Sequence, residues 1–181
     1  MNRTLEKEWP RIGRSAVVTG VVAALVSVAA LGAVAKMEGK GALQPINATS
    51  HWLNGDAAAR VDLPTARHTF VGFATHLLSA IFWAAPFEAW LAINPPRTLG
   101  TLLRDSAVMA GVAAAVDYGA TPKRFTPGWE LALSKGGMFV AYLAFTLGLA
   151  GGAMASAQIR ESARLSWRGA GPLRLSRWRS A

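Results

Sequence analysis

Between positions 69 and 93, Glu88 is the only charged residue. A carboxylate inside a bilayer costs several kcal/mol and marks a functional site by default. Pro86 stands two residues before it; its missing N–H frees the Phe82 carbonyl and predicts a kinked helix. Glu88 lies about 9 Å from Asn94 at 1.5 Å per helical residue. Arg104 reaches a similar depth on the next apolar segment, counted from Pro96. A Glu88–Arg104 pair that pins the second and third helices is the simplest expectation. A carboxylate that couples protons or substrate is the alternative. His76 is about 18 Å from Glu88 along the helix, too far to share its site. It shares a face with Gly72, Ser79 and Trp83, where a hydrogen bond to a neighbouring helix is the expected role.

His51, Trp52, Asp56, His68 and Asp117 are candidates for a second group on the opposite side. Neutral imidazole and carboxylate suit zinc or copper. No two histidines have i, i+4 spacing, so no metal or other cofactor is expected. Cysteine is absent, which removes disulfides, thiolate metal sites and a cysteine nucleophile. No Gly-x-Ser-x-Gly elbow or phosphate-binding loop occurs. These absences lead to the expectation of a protein that is not an enzyme.

Four apolar segments must position these residues. The chain has 181 residues, 52% hydrophobic and 16% charged, against about 25% charged in soluble proteins. Mean hydropathy is +0.28. Segments 15–35 and 136–157 carry no charge over 21 and 22 residues, and about 20 suffice to span a bilayer. The third segment is weaker: its uncharged core, 106–116, is 11 residues. It spans only if Arg104, Asp105 and Asp117 lie within its ends; otherwise it is a buried segment that does not cross. Pro95 and Pro96 suit the first turn of this helix. The expectation is an all-α, four-helix transmembrane bundle with helices at about 15–35, 69–93, 97–118 and 129–157. An N-terminal arm (1–14) precedes it, a structured 33-residue external loop (36–68) joins the first two helices, and a basic cytoplasmic tail (158–181) follows.

Twelve of the 19 lysines and arginines fall in the arm, the 94–105 turn and the tail; the other seven lie in the two remaining loops. That bias predicts both termini in the cytoplasm of a bacterial inner (plasma) membrane. Ala33-Val34-Ala35 resembles a signal-peptidase site, but the apolar run is too long for a signal peptide and Glu6 and Glu8 precede it. A retained helix is expected. In the tail Arg160, Arg164, Trp167, Arg168, Arg174, Arg177 and Arg179 are expected to contact anionic lipid headgroups, each basic group contributing about 1 kcal/mol. No nucleic acid is expected.

Residues 45–53 read as a short helix ended by Asn54-Gly55, and Asn47-Ala48-Thr49 matches the glycosylation sequon. Thr126 as N-cap, Pro127 at N1 and Glu130 in the first turn predict the start of the fourth helix. Gly148 and Gly152 form a GxxxG pair; Gly20 with Ala24 and Gly111 with Ala115 form similar pairs, which predict closely packed helices or a homo-oligomer. Segments 15–24 and 106–115 agree at seven of ten positions, as an internal repeat of two hairpins would, but alanine, glycine and valine dominate both, so chance similarity is the simpler reading.

Segments 51–58 (HWLNGDAA) and 117–130 (DYGATPKRFTPGWE) resemble stretches of uncharacterised small multi-pass proteins of bacterial inner membranes. The resemblance covers most of residues 15–157 and brings no activity with it. The small multidrug transporters differ: their glutamate lies in the first helix and their loops are far shorter. The expected role is a non-enzymatic accessory or scaffold subunit of a membrane assembly, with a membrane-protein partner or a second copy. A small oligomeric transporter or channel that uses Glu88 is the alternative.

Overall fold

The structure, a computed structural model, describes residues 3–169, with side chains for 8–162. Helix α1 (Arg3–Met37) is followed by two short helices, α2 (Gln44–Ala48) and α3 (His51–Asn54). Three long helices complete the chain: α4 (Val71–Ile93), α5 (Leu99–Gly119) and α6 (Lys135–Gly169). No strand forms among the described residues. Helices α1, α4, α5 and α6 are each long and apolar enough to cross a membrane. The third segment is helical throughout, with Arg104, Asp105 and Asp117 inside it.

Local chemistry explains where the boundaries differ from expectation. The 1–14 arm continues into α1 from Arg3, with Pro10 inside the helix. Helix α5 starts at Leu99, because Thr98 caps it: the Thr98 hydroxyl accepts from the Thr101 N–H, and the Thr101 hydroxyl accepts from the Thr98 N–H. Pro95 and Pro96 precede the cap. Helix α6 starts at Lys135, not 129. Gly128 sits at φ +79, a left-handed conformation that only a single 3-10 turn, Trp129–Leu131, follows. The working cap is Ser134, whose hydroxyl accepts from the Gly137 N–H at 3.0 Å; the Thr126 hydroxyl is bonded to Glu130 instead. Helix α6 also runs past 157, since residues 157–168 contain neither glycine nor proline.

Helix α1 lies at the centre, packed along both α6 and α4. Helix α5 packs on α6, and α4 and α5 touch little. The bundle interior is built from small residues: Ala23, Ala24, Ala84, Ala141 and Ser27 are fully buried. Large apolar side chains such as Leu78, Phe82, Val108 and Phe139 are more than 60% exposed. In lipid, exposing them costs nothing, and helices associate through close packing and hydrogen bonds. Glycines permit that approach. A Cβ built at Gly148 would lie 2.6 Å from Ala23 Cα, and one at Gly152 2.6 Å from Thr19 Cα. Gly20 meets α4 likewise, 2.5 Å from Ile81 Cα. Gly111, the counterpart of Gly20 in the repeated segment, faces open space, so the matched glycines do different work.

The two long connections interlock over one end of the bundle, the loop face; the start of α1, the described end of α6 and the 94–98 turn mark the opposite, terminal face. Asn47 is fully buried. Its amide donates to the Val61 and Leu63 carbonyls (2.8 and 3.3 Å) and its carbonyl accepts from Thr69 (2.7 Å). The sequon match at Asn47 is thus a structural joint. Lys40 donates to the Ala132 carbonyl at 2.6 Å, and Glu38 accepts from both the N–H and the hydroxyl of Ser134. Those donors and Lys40 hold the Glu38 carboxyl down at about 2.

Candidate functional site

Glu88 is buried, and its carboxylate faces α1 and α6. It accepts from the Thr19 hydroxyl at 2.5 Å and from Ser156 at 3.3 Å. Arg160, one turn beyond Ser156, donates to Ser156 at 3.0 Å and to Ser15. The expected Glu88–Arg104 pair does not form. Arg104 is exposed and donates to its neighbour Asp105 at 2.9 and 2.7 Å. The cause is helix order: α4 packs on α1, so Glu88 meets α1 and α6 rather than α5. Where α4 and α5 do approach, the link is Trp90 Nε1 to Asp105 at 3.3 Å. Arg160 is therefore part of the bundle's polar cluster, not a free headgroup contact. The side chains of Arg164, Trp167 and Arg168, and all of Arg174, Arg177 and Arg179, lie outside the described residues.

His76 does bond a neighbouring helix. Its Nε2 lies 2.9 Å from the Ser27 hydroxyl, which itself donates to the Ala23 carbonyl at 2.7 Å. That hydroxyl has one proton, so the bonding pattern assigns the Nε2–H of His76 as the donor to it. His51 is buried in the loop cap, with Nε2 donating to the Thr126 carbonyl at 3.0 Å and Nδ1 3.4 Å from Asp56. His68 pairs with Thr65 at 3.0 Å. The external candidates thus divide: His51 and Asp56 are together, while Asp117 stands apart. Among the described residues no three metal-ligating side chains gather.

Asp117 belongs to a cleft of about 340 Å³ that occupies the seam between α4 and α5 in the loop-side half. Trp52, Trp83, Trp129, Tyr142 and Phe145 line it, with Thr75, His76 and Ser79. The rings form a continuous chain. His76 and Trp129 centroids are 5.6 Å apart, Trp129 and Tyr142 5.4 Å, and Tyr142 and Tyr118 6.3 Å. The Tyr142 hydroxyl donates to Asp117 at 2.8 Å, and the Trp83 indole approaches the same carboxylate. The Trp52 indole donates to Thr75 at 3.2 Å and so forms part of the cleft wall on the side of the loop cap. Sequence reasoning named Trp83 only as a neighbour of His76 on its helix face, and did not name Tyr142 or Trp129 as site residues. The available signal was weak: aromatic residues near the loop-side ends of α4, α5 and α6, far apart in the chain.

A second cavity, of about 490 Å³, opens at the terminal face. Glu88, Ser15, Arg160, Leu91 and Ala153 line it, with Glu8 and Arg11. The two cavities come close on α4. Trp83 lines one and Glu88 the other, a separation of about 7.5 Å along the helix axis. Ala84 and Phe87, both with no exposed surface, fill the turn between.

No protein-family model matches this chain, and no curated protein or solved structure is similar to it.

Proposed function

We propose that this chain is a small, non-enzymatic carrier of a bacterial inner membrane that moves a small molecule between its two cavities. One observation carries this reading: two cavities in opposite halves of the bundle, each lined by an acidic residue, separated on α4 by a single buried turn at Ala84–Phe87. Ligand sites in membrane carriers lie at midplane depth, reached alternately from either side. The cavities flank such a depth. Helices α4 and α5 touch little, and a seam that repacks easily is where a rocking motion costs least. The charge bias supports a terminal face and basic tail on the cytoplasmic side, against anionic headgroups. In this reading Glu88 serves the inner cavity, and its hydroxyl partners on α1 and α6 register the state of those helices.

An accessory subunit is the second reading, favoured by the polar joints that give Glu88 a structural role. Proteoliposomes loaded with a small-molecule extract of the source cells distinguish the two. A carrier releases at least one compound faster than empty vesicles do. Ala84→Phe, which thickens the buried turn, slows that release, and Phe87→Ala, which thins it, speeds it. Release identical to that of empty vesicles for all compounds, from protein with intact helicity, overturns the carrier reading. Stoichiometric co-purification of another membrane protein then supports the accessory one.

A further inference from the structure

The loop-side cleft has a definite chemical character. Of its lining residues only Asp117, His76 and the Tyr142 phenol can ionise, and no lysine or arginine is among them. Asp117 makes no salt bridge among the described residues. Its partners are hydrogen-bond donors, the Tyr142 hydroxyl at 2.8 Å and the nearby Trp83 indole. Glu130 adds a second negative charge within electrostatic reach. The basic residues of the second connection are engaged elsewhere: Arg124 donates to the Trp52 carbonyl at 3.1 Å and, with Lys123, lines a different depression. A carboxylate without a cationic partner, walled by Trp52, Trp83, Phe125, Trp129 and Tyr142, lacks one component.

We propose that the cleft binds an organic cation, an amine or quaternary ammonium with an apolar body, its charge at Asp117 and its body against the aromatic walls. This rests on the carrier reading only in taking the cleft as the place where a molecule sits. Aromatic faces attract cations by about 0.5–2 kcal/mol each, most strongly for tryptophan and most when desolvated. Quaternary ammonium groups suit such walls because they have no protons to satisfy. A cleft of about 340 Å³ is within the range that holds a drug-sized ligand, roughly 300–1,000 Å³. An anion would face the Asp117 carboxylate with Glu130 within electrostatic reach, and among the described residues no three metal-ligating side chains gather to hold a bare metal ion.

Two ions of matched size and opposite sign, tetraphenylphosphonium and tetraphenylborate, test the sign directly. Each is equilibrated by dialysis with the full chain in nanodiscs, and uptake by empty nanodiscs is subtracted. Tetraphenylphosphonium binds at least about tenfold tighter than tetraphenylborate, a preference of the size one or two cation–ring contacts supply. Asp117→Asn removes most of that preference, and Trp83→Leu weakens the cation alone by several fold, both with unchanged helicity and unfolding midpoint. Equal or reversed affinity, or a preference that survives Asp117→Asn, overturns the cation assignment. Failure of both ions to bind overturns it as well. Because dialysis needs no transport, cation-selective binding without release from proteoliposomes leaves this inference standing and removes only the carrier reading.

Discussion

The close approach of α6 to α1 sets the most quantitative prediction. Gly148 and Gly152 let α6 approach α1 until a built Cβ would stand 2.6 Å from Ala23 Cα and Thr19 Cα, respectively. Carbon atoms pack at about 3.5–4.0 Å. Gly152→Ala therefore requires α6 to retreat by about 1 Å, and the obstructing atoms are backbone, which cannot rotate aside. Overpacking of this kind costs about 1–3 kcal/mol. Gly148→Ala strains the same seam one turn earlier, so the double substitution costs less than the sum of the singles. Gly151 lies on the same helix and Gly111 on α5, and neither has an atom within 4 Å of its built Cβ. Gly→Ala at these two removes only backbone freedom and stabilises by about 0.5–1 kcal/mol. The assay is reversible unfolding in mixed micelles, followed by far-UV circular dichroism. Destabilisation by Gly151→Ala or Gly111→Ala as large as that by Gly152→Ala would refute the reasoning.

Other predictions concern charge. Thr19→Val removes a donor from the buried Glu88 carboxylate and destabilises by about 1–3 kcal/mol, whereas Arg104→Gln, at an exposed side chain, stays within about 0.5 kcal/mol; equal effects in the same unfolding assay would restore the Glu88–Arg104 pair. The clamp between the two connections depends on pH. The Glu38 carboxyl is held at about 2, below its ordinary 4.5, by Ser134 and Lys40. A lowered folded value means that the stabilisation is present above about pH 4.5 and is lost as pH falls toward 2. Protection of the Ser134 amide, taken relative to its intrinsic exchange rate at each pH, should fall across that window, and Glu38→Gln should abolish the fall; constant protection in the wild type contradicts the clamp.

Much of the architecture was legible in the sequence. Uncharged runs locate α1, α4 and α6, and the isolation of Glu88 marks it without ambiguity. Its partner was not legible. Depth counting placed Arg104 at the right height, but hydropathy does not encode which helices are neighbours. The order that puts α1 between α4 and α6 emerges from glycine contacts such as Gly20 against Ile81. The start of α6 misled for a local reason: Thr126, Pro127 and Glu130 form a sound helix-start pattern, and the left-handed Gly128 cancels it. Asp117 was visible, though as a candidate metal ligand. Its actual setting is assembled from Trp52, Trp83, Trp129 and Tyr142, which sit on four separate elements with no common spacing.

The central claim is that the two cavities open to opposite faces and are sealed from each other at Ala84–Phe87. The chain has no cysteine, so single cysteines report without background. Ala113 lines the loop-side cleft and Ala153 the terminal cavity, and both are otherwise buried. Membrane vesicles of each orientation, treated with a charged, membrane-impermeant thiol reagent, give the test. The account predicts that Ala113→Cys reacts only when the reagent is on the loop face, and Ala153→Cys only when it is on the terminal face. Reaction of both from one face, or of neither from any, would contradict it.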